Sequence, residues 1–220
     1  MSETQDEIRQ MQEKYGKRPF QYIAETGLFD RPSIAAHCVW LDDADIAMMK
    51  EKAITPVHNP GSNMKLASGV APVPKLLAEG VHVALGTDGA SSNNNLDMLE
   101  EIRLTAMLHK VHELNPLAVP AAEALRMGTE YGAEALWLEK TGRLQAGWKA
   151  DIVLYDMNRP EWCPRHDLVS LLVYSANSGS ADTVLCNGKV LMEKGELKTL
   201  DEEKILREAN ACAMDLVNRG

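Results

Sequence analysis

Three polar side chains stand at the ends of three short apolar runs. His37 lies near the end of Ser33-Ile34-Ala35-Ala36-His37-Cys38-Val39. His58 closes Ile54-Thr55-Pro56-Val57-His58. Asp88 follows Val81-His82-Val83-Ala84-Leu85 in the turn Gly86-Thr87-Asp88-Gly89. A carboxylate in such a turn can hold a hard or borderline cation or take a proton from bound water. An imidazole can ligate a metal or move a proton near neutral pH. Each residue also has a plain reading. Asp88 could cap the next helix, because Ser91, Ser92 and Asn93 follow it. A single histidine at a strand end is commonly structural. Three polar residues at three successive strand ends are harder to set aside, because parallel strands present all their C-terminal ends on one face.

The runs 33–39, 54–58 and 81–85 are too short for helices and suit buried strands. Helical segments alternate with them. A helix through Ala44-Ile46-Met48-Met49 opens on Asp42-Asp43, which places acidic residues at its positive end. A Gly- and Asn-containing loop runs from Asn59 to Gly69, and a helix from Pro72 to Leu77 ends at Glu79-Gly80. Asp97 to Val111 is a long amphipathic helix, and 121–127 and 129–136 are shorter ones. Before the first strand, a polar helix over Glu3–Lys14 precedes a second that starts at Pro19 and ends near Gly27. This strand–loop–helix rhythm predicts βα units around a parallel sheet or barrel.

The pattern changes near residue 140. A turn-rich stretch, Gly142 to Gly147, leads to a strand over Ala150–Tyr155. Thr183–Cys186 and Lys189–Met192 flank Asn187-Gly188, a strong type I′ hairpin signal. Asp201 N-caps a helix to Asn218. The expected domains are therefore 1–140, a βα part, and 141–220, a small β module with a C-terminal helix.

The net charge of −9 and the lack of a basic cluster disfavour nucleic acid and anionic membranes as partners. No apolar run approaches the roughly 20 residues of a membrane span. The acidic, polar N-terminus is no signal peptide. Cys38, Cys163, Cys186 and Cys212 are scattered without a C-x-x-C pair, which fits free thiols in a reduced, cytoplasmic setting. Cys38 beside His37 reads as a small core residue.

Three loop motifs carry a family resemblance. They are Ala35-Ala36-His37-Cys38-Val39-Trp40-Leu41, His58-Asn59-Pro60-Gly61-Ser62-Asn63-Met64-Lys65-Leu66 and Leu85-Gly86-Thr87-Asp88-Gly89-Ala90-Ser91-Ser92-Asn93-Asn94. Together they resemble the amidohydrolase superfamily, in the branch of the 5-methylthioadenosine/S-adenosylhomocysteine deaminases and near the chlorohydrolases. Gly142-x-Leu144-x-x-Gly147-x-x-Ala150-Asp151-Ile152-Val153 resembles that family's re-entry into its β-sandwich. The resemblance implies an α/β fold: the C-terminal part of a metal-dependent-hydrolase (β/α)8 TIM barrel, plus part of a small β-sandwich domain.

It also implies roles. Asp88 matches the family's metal-ligating Asp after the eighth barrel strand. His37 matches the His after the sixth strand, which contacts the metal-bound water or the leaving group. Glu3, in Met1-Ser2-Glu3-Thr4, matches the proton-shuttling Glu after the fifth strand. Glu3, His37 and Asp88 are thus the catalytic and substrate-binding candidates, with Asp88 the metal ligand. The implied cofactor is one divalent metal ion, zinc foremost and iron as the alternative. The implied substrate is a purine nucleoside or related ring, deaminated to an inosyl product and ammonia. His58 is expected to order the loop through Asn59 and Asn63. His82, His109, His112 and His166 are expected to be structural or at the surface.

The family's H-x-H pair and its fifth-strand His have no counterpart in this sequence, and the latter would fall just before Met1. The chain is therefore expected to correspond to the C-terminal half of such an enzyme. It would be complemented by an N-terminal half or would self-associate as a homo-oligomer. A chlorohydrolase or other aminohydrolase on a heteroaromatic ring, and a catalytically silent fragment, are the other readings.

Overall fold

The computed structural model describes residues 1–219. It divides into two compact units, residues 1–143 with 160–178, and residues 144–159 with 179–220.

In the first unit, α1 (Gln5–Tyr15) starts where the Thr4 hydroxyl accepts the Glu7 amide and stops at Gly16, whose φ is 67°. Pro19 opens α2 (Pro19–Ala24), where its missing N–H costs nothing. Strand β1 is Ser33–Ala36, shorter than the 33–39 run. The reason is local: His37 and Cys38 adopt left-handed φ values of 70° and 50°. That turn frees the next amides to bond the N-terminal segment. Cys38 N donates to Met1 O (3.1 Å), and Val39 N and Trp40 N donate to Ser2 O (3.1 and 2.9 Å).

Helix α3 (Asp43–Glu51) carries a capping box between Asp42 and Asp45. The buried Asp45 carboxylate also pairs with Arg18 (2.7 Å). Strand β2 (Ile54–His58) alternates buried and part-buried residues, as one covered face demands. Next comes α4 (Pro60–Lys65), where the sequence reads as loop; Pro60 starts it, but it is too short and polar to show a helical apolar period. Helix α5 (Val73–Ala78) leads to β3, which is only Ala84–Leu85. Val81 and Val83 are buried but lie outside the ladder, so burial and not pairing explains their apolar character. Helices α6 (Ala90–Asn93), α7 (Met98–His112), α8 (Ala121–Gly128) and α9 (Glu130–Ala135) complete the series.

The three strands form a parallel sheet in the order β1-β2-β3, with Ala36 beside Val57 and His58 beside Leu85. Each connection passes through helices, as parallel pairing requires. One face of the sheet, with Ala35, Ile54 and His58, is buried in the core with Phe20, Val73, Leu76, Ala106 and Met127. Fully burying such side chains is worth about 1.5–3 kcal/mol each. On the other face Ile34 is 48% exposed. Residues 160–178 contribute α10 (Leu168–Tyr174), whose Val173 is fully buried in the same core.

In the second unit, β4 (Ile152–Tyr155), β5 (Ala181–Cys186), β6 (Lys189–Glu193) and β7 (Glu196–Leu197) make an antiparallel sheet in that order. Asn187 and Gly188 both have positive φ (48° and 79°), the type I′ geometry that Asn-Gly favours. The Asp201 side chain caps α11 (Glu202–Asn218) through Lys204 N. No helix among the described residues is long and apolar enough to cross a membrane.

Candidate active site

His37 and Asp88 follow the C-terminal ends of β1 and β3, at one end of the parallel sheet, and Glu3 lies beside His37. Glu3 arrives through the bonds that tie Met1 and Ser2 to residues 38–40. The His37 Nε2 lies 3.8 Å from Glu3 Oε2, and Ser68 Oγ donates to Glu3 Oε1 (2.8 Å). On its other side, His37 Nδ1 is 3.1 Å from Asn63 Oδ1. That oxygen only accepts, so Nδ1 carries a hydrogen, and Nε2 faces the Glu3 side. The Asn59 amide nitrogen donates to Gly86 O (3.1 Å) and His58 O (3.3 Å), which turns its oxygen toward His37 as well.

Asp88 is exposed, and its φ of 61° is left-handed, as is that of His37. It does not cap α6: Gly89 occupies the N-cap and no side chain caps that helix. Instead Oδ2 accepts two hydroxyls, Ser62 Oγ and Ser92 Oγ, each at 2.8 Å. Those two bonds hold the carboxyl below its ordinary pKa, with smaller help from the Gly89 backbone and His37 against a small cost of burial. Asp88 is therefore ionised at neutral pH.

Behind this pair of loops lies Glu101 of α7, which is fully buried. Its Oε2 accepts Gly61 N (2.9 Å) and its Oε1 accepts Asn93 Nδ2 (2.8 Å). The same Asn93 nitrogen donates to Thr87 O (2.8 Å). Burial pushes the Glu101 carboxyl above its ordinary pKa, and its two donors oppose that shift. Sequence reasoning did not single out Ser62, Ser92, Asn93 or Glu101. Ser62 and the serine and asparagine cluster at 91–94 stood inside the quoted motifs, whereas Glu101 looked like an ordinary acidic residue in a helix's first turn.

His58 does not point into the site, and it does not order the Asn59–Asn63 loop. It shares the covered face with Ile54 and is fully buried, with Nε2 3.3 Å from His109 Nε2 on α7. His109 is thus a buried partner. His82 bonds Glu134 (2.7 Å) and stacks on Tyr131. Cys38 is buried, and burial pushes its thiol up to about 12. All four cysteines are free.

Glu3 and His37 face each other, and the ionised Asp88 stands at the same end of the parallel sheet, side chains of the types that move protons to and from a bound ring and water. Among the described residues no group of three His, Cys, Asp or Glu side chains could hold a metal ion. Asp88 supplies at most one ligand of such a centre.

A family model described as the amidohydrolase family matches residues 1–191. A 5-methylthioadenosine/S-adenosylhomocysteine deaminase of Dictyoglomus thermophilum is 53% identical over 219 residues, covering 100% of this chain and 51% of its own length. Among solved structures, an adenosine deaminase from Xanthomonas campestris with bound zinc superimposes with a TM-score of 0.95 at 34% identity, over 99% of this chain and 50% of that one. An atrazine chlorohydrolase from Arthrobacter aurescens, complexed with zinc, gives a TM-score of 0.86 at 28% identity, over 93% and 46% of the two chains. This chain spans about half the length of the curated relatives it matches.

Proposed function

The chain belongs to the amidohydrolase family, and on that premise we propose that it carries the proton-transfer half of a metal-dependent deaminase of adenosine-type nucleosides. The observation that supports this reading is the contact of Glu3 with His37 and the presence of an ionised Asp88 at the same end of the parallel sheet. The substrate class follows from the names of the relatives: those about half identical to this chain are deaminases of 5-methylthioadenosine and S-adenosylhomocysteine, whereas the chlorohydrolase is 28% identical.

The described residues do not make a metal centre alone. The proposal therefore assigns the remaining ligands to the half of the relatives' length that this chain does not span. A zinc ion in the assembled enzyme would lower the pKa of bound water toward about 7. This chain's own residues move protons. Asp88 accepts one from the attacking water as its oxygen bonds to C6 of the purine ring. With two hydroxyls on Oδ2, Oδ1 is the oxygen available for that task. Glu3 gives a proton to the ring nitrogen next to C6. His37 hydrogen-bonds the new hydroxyl through Nε2, the ring nitrogen on the Glu3 side. Asp88 then passes its proton to the amino group, the C6–N bond breaks while the hydroxyl proton goes to Glu3, and ammonia leaves behind a C6 carbonyl with both carboxyl groups restored.

The test is to purify this chain alone and together with the N-terminal half of the Dictyoglomus thermophilum deaminase. Ammonia release from 5-methylthioadenosine and S-adenosylhomocysteine is then followed. The pair is expected to turn over and to hold about one zinc ion, and the single chain to do neither. Chloride release from a chlorinated triazine without deamination would overturn the assignment in favour of the chlorohydrolase reading.

A further inference from the structure

Glu101 is a buried carboxylate whose identified donors, Gly61 N–H and the Asn93 amide, are both neutral. A core built for packing alone would place an apolar side chain there, because a desolvated carboxylate is costly. Its two donors stand next to the two serines that act on Asp88. Gly61 precedes Ser62 on α4, and Asn93 follows Ser92 on α6. Asn93 also fixes Thr87 O, one residue before Asp88. The helices α4 and α6 follow different strands, and Glu101 on a third element, α7, bonds both.

Residue 61 is fitted to this arrangement. A Cβ built there overlaps Glu101 Oε1 and lies 3.0 Å from the Asn93 amide atoms, so only glycine admits the approach. Glu101 itself is 0% exposed and touches no open space.

We propose that Glu101 is the positioning residue of the Asp88 carboxylate: one buried carboxyl group sets both serine hydroxyls and the backbone just before Asp88. This rests on the reading that Asp88 takes part in the chemistry. Glu101 acts through other groups and never meets the substrate.

Glu101→Gln keeps the shape but turns one acceptor into a donor, which must face either Gly61 N–H or the Asn93 NH2. Amide hydrogen exchange on the 220-residue chain reads the effect without any activity. Protection at Gly61, Ser62 and residues 87–93 is expected to fall at least about tenfold, while β2 and α8 keep theirs. Adding Asn93→Asp places an acceptor opposite the new donor and should recover protection at Gly61 and Ser62. Asn93→Ala, a milder variant, severs one arm only and should open 87–93 but not Gly61 and Ser62. Unchanged exchange in both segments, or an equal rise throughout the unit, would overturn the proposal.

In the complex with the N-terminal half, Glu101→Gln should lower kcat by about 10- to 100-fold, as loss of supporting partners does elsewhere, and leave KM within about twofold. A raised KM at constant kcat would mean direct substrate contact and refute a positioning role. An inactive wild-type complex would reject the deaminase reading alone, and the exchange result would then decide whether Glu101 sets the two loops.

Discussion

Acid should weaken this fold through one identifiable pair of side chains. His58 and His109 are both fully buried, with their Nε2 atoms 3.3 Å apart. Neither Nδ1 has a hydrogen-bond partner. One hydrogen lies between the two Nε2 atoms, so one ring donates, the other accepts, and both are neutral. Protonating the pair would put a cation in the core facing a second donor. Burial lowers His58 well below its ordinary value, with His109 adding to the effect. Burial likewise lowers His109 from 6.5 to about 4, with His112 and Lys110 contributing. The folded pKa values lie below the unfolded ones, so the unfolded chain binds more protons in the window between. The stability contribution is present above about pH 6.5 and is lost as pH falls toward about 4. For His109 alone, the shift from 6.5 to about 4 makes the loss between pH 7.5 and pH 5 about 2 kcal/mol. Urea unfolding followed by circular dichroism at the two pH values measures it. The double variant His58→Leu/His109→Leu should lose that component of the pH dependence. If wild type and double variant weakened in parallel, or if NMR showed either imidazole titrating near 6.5, the reasoning would fail.

Asp88→Asn should cut turnover of the assembled enzyme by about a thousandfold or more, because the amide cannot take the water's proton. Gly61→Ala should cost about 1–3 kcal/mol in urea unfolding, because its methyl group enters the space of the Glu101 carboxylate. A thiol reagent should modify Cys163, Cys186 and Cys212 in the native chain and reach Cys38 only in denaturant, since Cys38 is 1% exposed and its thiol pKa is pushed up to about 12. Rapid labelling of four thiols in the native state would contradict this.

Much of the fold was legible in the sequence where one local signal decides. Strand Ile54–His58 has the bounds its β-branched run suggests. Asp42, Asp97 and Asp201 each cap a helix. Asn187-Gly188 turns the hairpin because both residues tolerate positive φ. Other features needed partners distant in sequence. Strand β3 shrinks to two residues because pairing with β2, and not apolar character, defines a strand. Helix α10 lies between strands of the β module in sequence, yet its buried Val173 joins the core of the first unit. The direction of His58 was in principle readable, because it falls in register with Ile54 and Pro56 on the covered face. Glu101 was hidden by its position in the acidic first turn of a well-capped helix, and only the fold brings Gly61 and Asn93 to it.

The left-handed backbone at His37 and Asp88 has an evolutionary consequence. Asparagine and glycine hold that conformation with less strain than most residues, and relief of it is worth up to about 1 kcal/mol per site. Local stability therefore pulls both positions toward residues that lack the imidazole or the carboxylate. Under the proposed function, selection for chemistry opposes that pull. In a lineage that still deaminates, His37 and Asp88 should be retained against that pull. In one that keeps the fold but has abandoned the reaction, they should be among the first residues to drift, well before buried Phe20 or Met127, whose loss would cost the core itself.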